Sequence, residues 1–101
     1  MIIIERLVQI VRPGKWAELE EIDKRFTAVE MRVGFPPKKR YQCLVGGHAQ
    51  GTLIVERQWE SMAALEAAYE KLMASPEWQA LGLDVFGAIE STQTEFYMPM
   101  P

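Results

Sequence analysis

The chain has 101 residues, a length that accommodates one domain but not two independent hydrophobic cores. Apolar residues make up 49% of it and charged residues 25%, which is the balance of a folded globular domain and argues against intrinsic disorder. The net charge of −3 disfavours general nucleic-acid binding, which needs a basic surface. The longest segment without Asp, Glu, Lys or Arg, residues 41–55, is too short and too polar to span a bilayer.

The cysteine content and the N-terminal segment bear on the compartment. The single cysteine, Cys43, excludes an internal disulfide and a cysteine-based zinc cluster. The apolar run of residues 1–4 is too short for the hydrophobic region of a signal peptide. We therefore expect a reducing compartment, with the cytoplasm as the default location.

The first third of the chain predicts a strand followed by a helix. Residues 2–12 are rich in Ile and Val with polar residues between them, and a Pro-Gly pair follows. Residues 13–33 carry apolar side chains three or four positions apart on a charged background, which is the period of an amphipathic helix. Gly34 is a candidate C-cap, and the Pro-Pro pair after it prevents the helix from continuing.

The middle of the chain predicts a β-hairpin. Residues 40–45 and 52–59 have strand composition, and the glycine-rich segment 46–51 joins them with a short turn. In the second of these strands, alternation places Leu53, Val55 and Trp59 on one face. The first two suit packing against helices, while Trp59 precedes a helix so closely that the pattern favours neither burial nor exposure.

The last third predicts two helical segments and a final strand. Ser61 is a candidate N-cap for a helix with apolar spacing, and Ser75 is a second N-cap with proline at the first helical position. Residues 89–98 alternate weakly and are rich in Thr and aromatic residues, which favours a strand. The predicted helix-to-sheet layer comprises Trp16, Leu19, Ile22, Phe26, Leu65, Tyr69 and Leu72.

The resulting order, β-α-β-β-α-β, predicts an α+β, ferredoxin-like protomer with a four-stranded antiparallel sheet and its helices on one face. The other sheet face is then half apolar and unprotected, which favours a partner. Two such sheets facing each other would close a dimeric α/β barrel in a two-fold homodimer.

Four segments carry a resemblance to a known group. These are residues 12–15 (RPGK), 59–64 (WESMAA), 74–78 (ASPEW) and 96–101 (FYMPMP). With them the sequence resembles the NIPSNAP-like domains of the dimeric α/β barrel superfamily over nearly its whole length. The resemblance implies one NIPSNAP-like domain over residues 1–101 and a homodimer of βαββαβ protomers. It does not imply one activity, because the superfamily includes haem-degrading and cofactor-independent monooxygenases as well as stress-responsive proteins.

His48 is the only histidine and lies in the predicted hairpin turn. A turn histidine is usually solvated, and the functional alternative is a general base or an axial haem ligand at the mouth of the barrel. No second His or Cys stands at ligand spacing, so we expect no protein-only metal site. Cys43, inside the predicted second strand, favours a buried, inert thiol over a nucleophile.

Charged and polar residues near the hairpin allow two interpretations each. Lys38, Lys39 and Arg40 form a basic cluster that is either solvated or recognises a carboxylate or phosphate of a ligand. Glu56, Arg57 and Gln58 interrupt the third strand, and alternation places Glu56 and Gln58 on one face and Arg57 on the other. These residues either form cross-strand pairs at a dimer seam, with Arg6 or Glu5 as partners, or line a polar cavity.

Nucleotide-binding, hydrolase and metalloprotease motifs are absent from the sequence. We therefore expect a homodimer that binds a small apolar or anionic molecule, or a regulatory homodimer, with no cofactor. A small monooxygenase, cofactor-independent or haem-type, that uses the barrel cavity is the alternative, because such chemistry needs few protein groups. The cavity candidates are Arg40, His48, Glu56 and Gln58.

Overall fold

The computed structural model describes residues 1–49 and 51–101, and within them the predicted order of elements is confirmed, with the second helical region divided in two. The elements are β1 (Ile3–Val11), α1 (Trp16–Arg32), β2 (Lys38–Gln42), β3 (Thr52–Trp59), α2 (Met62–Met73), α3 (Pro76–Val85) and β4 (Ile89–Tyr97). The division between α2 and α3 falls at Ser75, where the sequence predicts a new N-cap.

The four strands form one antiparallel sheet in the order β2-β3-β1-β4. Because side chains alternate across a sheet, the odd-numbered residues of β1 and β3 face the helices and the even-numbered residues form the opposite, open face. Leu53, Val55 and Trp59 lie on the helix side, as the alternation predicts, and all three are buried.

Local capping explains where the helices begin and end. The Ser61 hydroxyl accepts a hydrogen bond from the backbone N–H of Ala64, and the Ser75 hydroxyl accepts one from Trp78. After α1, Gly34 has a φ of +90°, a left-handed conformation that favours glycine and turns the chain towards β2. In the described part of the chain, no helix has both the length and the hydropathy to cross a membrane.

The core lies between the helices and the sheet, where the sequence predicts it. Leu19, Ile22, Leu65 and Leu72 are buried in it. The three aromatic members of the predicted layer are partly buried and pack against this core. Aromatic and apolar side chains thus form most of the helix-to-sheet layer.

The bounds of the second strand are a correction. β2 covers Lys38–Gln42 rather than residues 40–45, and Cys43 lies beyond its end in a loop, half-buried, with Sγ 3.3 Å from the carbonyl oxygen of His48. β2 can begin with lysines because the carboxylates of Asp23 and Glu30 in α1 pair with Lys38. At the other end, the apolar Leu44, which the sequence places in the strand, is exposed in the loop. Within the predicted turn 46–51, Gln50 lies outside the described residues.

Candidate functional site

A cavity of about 340 Å³ lies between the helices and the sheet, and we call it the inner cavity. Apolar and aromatic side chains form most of its wall: Leu7, Leu19, Phe26, Phe35, Val55, Tyr69, Leu72, Trp78, Val85, Phe86 and Ile89. At one end Phe86, Thr92 and Thr94 are exposed, and at the other Arg57 and Leu72 are buried. The inner cavity therefore opens to solvent between α3 and β4 and ends in the core.

The closed end carries charged groups, which we call the charged wall: Asp23, Glu30, Lys38 and Arg57. The sheet register places Lys38 opposite Arg57, and α1 supplies the two carboxylates. Arg57 Nη2 lies 2.5 Å from Glu30 Oε1, and Lys38 Nζ lies 2.7 Å from Asp23 Oδ1 and 3.1 Å from Glu30 Oε1. Buried charges of this kind persist only when they are paired, so each cation of the wall is held by carboxylates of the protein.

Glu5 supports the charged wall from the central strand. Its side chain is 1% exposed, and its carboxylate accepts hydrogen bonds from the Tyr69 hydroxyl, from Trp59 Nε1 at 3.3 Å and from Arg57 Nη1 at 3.5 Å. Burial, and then the hydrogen bond to Glu5, raises the pKa of Tyr69. Tyr69 is therefore a neutral phenol whose proton is donated to Glu5, and it does not act as a base near neutral pH.

Aromatic packing fixes the position of the Arg57 guanidinium. Its Cζ lies 5.0 Å from the centre of the Phe35 ring, in cation–π contact. Phe35 in turn makes edge contacts with Trp59 at 4.9 Å and Tyr69 at 5.0 Å between ring centres. Among the described residues, the buried Nε of Arg57 has no hydrogen-bond partner.

Gly82 lies in α3 and lines the inner cavity. A Cβ atom at this position would meet no heavy atom within 4 Å. Glycine inside a helix costs roughly 1 kcal/mol relative to alanine, and packing does not require it here. Its effect is to leave the inner cavity wider beside α3.

Two of the four predicted site residues lie together on the open face. Glu56 and Gln58 line a groove of about 480 Å³ on that face, which we call the outer groove, with Ile2, Ile4, Pro36, Pro37, Lys39, Arg57, Trp59 and Glu60. Glu56 accepts hydrogen bonds from Arg6 Nε at 3.0 Å and Nη2 at 2.8 Å, and this contact raises the pKa of Arg6. Of the two cross-strand partners that the sequence suggests, Arg6 pairs with Glu56 and Glu5 pairs with Arg57.

The other two predicted residues lie elsewhere. Arg40 is on the helix side of β2, where its Nη1 and Nη2 lie 2.9 and 2.7 Å from the carboxylate oxygens of Glu20. This bidentate contact raises the pKa of Arg40 and lowers that of Glu20. His48 is exposed in the loop after β2. The structure thus brings Glu56 and Gln58 together, while the lining of the inner cavity contains none of the four.

The charged wall was not predicted from the sequence as a site. The sequence does carry one signal for it: Glu5 and Arg57 occupy inward-facing positions whose inward-facing neighbours, Ile3, Leu7, Val55 and Trp59, are apolar. The partners from α1 have no comparable signal, because Asp23 and Glu30 belong to a helix with many exposed acids. Their contacts depend on how α1 lies across the sheet.

Neither a protein-family model nor a curated protein sequence matches this chain. Solved structures do match it. A NIPSNAP family protein from Agrobacterium tumefaciens is similar with a TM-score of 0.83 at 20% identity, over 99% of this chain and 94% of that one. A NIPSNAP domain protein from Burkholderia xenovorans has a TM-score of 0.82 at 17% identity, over 97% and 94% of the two chains.

A more distant similarity is to SnoaB from Streptomyces nogalater, a cofactor-independent oxygenase. Its TM-score is 0.71 at 16% identity, over 99% of this chain and 94% of that one. Likeness at such identities establishes the fold and leaves the activity open. The chain has the α+β, ferredoxin-like protomer fold of the NIPSNAP structures, as its sequence resemblance implies.

Proposed function

We propose that this protein binds a small, largely apolar molecule in the inner cavity and acts as a homodimer. The observation that carries the proposal is the inner cavity itself, about 340 Å³ in volume, open at one end and lined mainly by apolar and aromatic side chains. This volume is at the lower end of the range for small-molecule sites. Gly82 supports the proposal, because it keeps space open that a protein side chain could fill.

A cavity-filling variant tests the binding function. Gly82→Leu places a side chain in the inner cavity, and replacing glycine in a helix favours the fold. Ala80→Leu is the matched control, because it adds a leucine on an exposed position of the same helix. We expect a naphthalene-based probe to bind the wild type and Ala80→Leu equally and to lose its affinity for Gly82→Leu. Equal binding by all three proteins would contradict the proposal.

The open face supports the homodimer. Apolar residues on it remain accessible, including Ile10, which is 40% exposed. The register also aligns a row of alternating charges across the face: Lys39, Glu56, Arg6 and Glu95. A two-fold axis passing between Glu56 and Arg6 would place Glu56 opposite Arg6 of the partner subunit and Lys39 opposite Glu95 of the partner subunit. Each charge of the row would then face a charge of opposite sign. The face is thus complementary to a second copy of itself.

Charge reversal tests this assembly. Glu56→Lys and Arg6→Glu each place like charges across the proposed axis, so we expect each variant alone to dimerise more weakly than the wild type. An equimolar mixture of the two restores opposite charges and should form a mixed dimer. Sedimentation at micromolar concentration distinguishes the dimer from the 11.6 kDa protomer. A monomeric wild type, or a mixture no tighter than the single variants, would contradict this arrangement.

Cofactor-independent oxygenation is a second candidate. Its support is the fold shared with SnoaB together with the apolar inner cavity. Such chemistry needs an enclosed pocket and few protein groups. The test is oxygen uptake with 1,4-dihydroxynaphthalene as an oxidisable probe. Uptake above the uncatalysed rate that is lost in Gly82→Leu would favour an oxygenase, and uptake at the uncatalysed rate would favour binding alone.

A further inference from the structure

The outer groove lies on the face that we propose as the dimer interface. Ile2, Ile4, Pro36 and Pro37 contribute apolar side chains to its wall, and Ile2 is 42% exposed. Residues 96–101 of the same chain do not line it. Apolar grooves within a dimer interface are packed by side chains of the partner, so a part of the second copy should fill this one.

The sheet register places Tyr97 and Pro37 at the same level along the strands. Tyr97 lies opposite Ile4, and Ile4 lies opposite Gln58. Pro37 directly precedes β2, whose first residue lies opposite Arg57, so Pro37 is level with Gln58. These four residues form a second row across the open face, two residues along the strands from the row of alternating charges.

The proposed two-fold axis carries Tyr97 of the partner subunit onto the outer groove. Because the two sheets face each other, an axis that places Lys39 opposite Glu95 of the partner subunit runs along the strands and keeps each row at its own level. Two residues further along, Pro37 then lies opposite Tyr97 of the partner subunit. Lys39 and Pro37 both line the outer groove. The charge pairing that sets the axis thus also brings the end of the partner's β4 to this groove.

The segment that follows Tyr97 suits such a groove. Residues 98–101 read Met-Pro-Met-Pro, with no charged side chain, and the two methionines are 56% and 83% exposed. Proline has no backbone N–H, so the segment is poorly suited to continue β4 by strand pairing. Methionine side chains are apolar and flexible, and they fit irregular apolar surfaces. The segment is therefore expected to bind through its side chains, at an apolar site.

We infer that residues 97–101 of each copy dock in the outer groove of the other copy, so that each copy both gives and receives a segment. The inference rests on the homodimer of the proposed function, and it names the segment and the surface that hold the two copies together. It also assigns different roles to the two concave sites. The inner cavity takes the ligand, and the outer groove takes the second copy.

Replacement of the methionines tests the contribution of the segment. Met98→Ser combined with Met100→Ser removes both apolar side chains without changing the charge. Met31→Ser combined with Met73→Ser is the matched control, because these exposed methionines belong to helices on the other side of the sheet. We expect the dissociation constant of the dimer to rise about tenfold in the first variant and to stay unchanged in the control. Equal constants in sedimentation for the wild type and both variants would overturn the inference.

Crosslinking tests the contact itself. Pro37→Cys and Met98→Cys are made as separate proteins, each with Cys43→Ser so that one thiol remains. Facing sheets pack about 10 Å apart, so a bismaleimide of that reach should join the two proteins when they are mixed. Neither protein alone should crosslink, because the axis places identical residues at opposite edges of the paired sheets.

The outcomes separate the inference from the proposed homodimer. If the wild type is monomeric at micromolar concentration, both fail. If the wild type is dimeric but the mixture does not crosslink, the homodimer stands, the docking is wrong, and the outer groove is left to a small molecule or to a segment of another protein. If Met98→Cys crosslinks by itself, the two segments lie beside each other, which also overturns the docking.

Discussion

The phenol of Tyr69 donates a hydrogen bond to the carboxylate of Glu5, across 64 positions of sequence. Tyr69 lies on α2 and Glu5 on β1, so the contact joins the helical layer to the central strand of the sheet. Because the Glu5 carboxylate is buried, the contact is stronger than a surface hydrogen bond of the same geometry. The pair thereby couples the packing of α2 to the charged wall.

Alkaline pH should expose this coupling. The pKa of Tyr69 is raised above its ordinary value of 10.0 in the folded protein, so as pH rises the unfolded chain loses its proton first. The contribution of the Tyr69 phenol to the free energy of unfolding is complete below about pH 10 and is lost progressively as pH rises from there towards the raised pKa. We expect the unfolding free energy of the wild type to fall more steeply above about pH 10 than that of Tyr69→Phe. Urea unfolding measures this difference, and Tyr41→Phe, at an exposed position, is the control.

Acidic pH should act through Glu20. Arg40 lowers the pKa of Glu20 below its ordinary value of 4.5, so the stabilisation is complete above that value and is lost as pH falls through the lowered pKa. Because Glu20 is half exposed, Glu20→Gln should cost only about 0.5 kcal/mol at neutral pH. The difference from the wild type should vanish at the acid end of a urea-unfolding series. Glu21→Gln, which removes the partner of the exposed Lys24, is the control and should leave the free energy of unfolding unchanged.

Phe35 and Phe26 both line the inner cavity but differ in burial, so their truncation should differ in its cost to stability. Phe35 is buried between Trp59 and Tyr69, so Phe35→Ala should cost about 3–5 kcal/mol of unfolding free energy. Phe26, which the sequence places in the core layer, is only partly buried and borders the inner cavity. Phe26→Ala should therefore cost less, about 1–3 kcal/mol. Equal losses in urea unfolding would mean that Phe26 is packed as tightly as Phe35.

Haem should not bind as a one-to-one complex. An axial ligand must be held in place, and His48, the only histidine, lies exposed in the loop after β2. Of the basic residues that could pair with haem propionates, Lys38 and Arg40 are already bound by carboxylates. We expect a hemin titration to give a weak, non-saturating Soret change that is unaltered by His48→Ala. A saturable complex that His48→Ala alters would contradict this expectation.

Local signals account for most of the fold. Ser61 and Ser75 each cap a helix as predicted, because an N-cap acts on the backbone within three residues. The start of β2 was placed two residues too late, because whether Lys38 can enter the interior depends on Asp23 and Glu30 of α1. Such a contact is set by packing between elements and leaves no local pattern.

The site was less predictable than the fold for the same reason. Alternation correctly separates Glu56 and Gln58 from Arg57, but it does not say which face has a cavity. The inner cavity depends on the distance at which the helices lie above the sheet. The absence of a side chain at Gly82 also widens the inner cavity. An isolated glycine in a helix can have several causes, so the sequence alone does not indicate a cavity there.

The strand order has a consequence for synthesis on the ribosome. β1 lies inside the sheet between β3 and β4, and β4 follows every other described element along the chain. Since a nascent chain emerges N-terminal end first, β1 can pair with β3 while its other edge is still bare. Such an edge, rich in Ile and Val, can pair with a strand of another chain. Arrival of β4 both closes this edge and adds Thr92 and Thr94 to the mouth of the inner cavity.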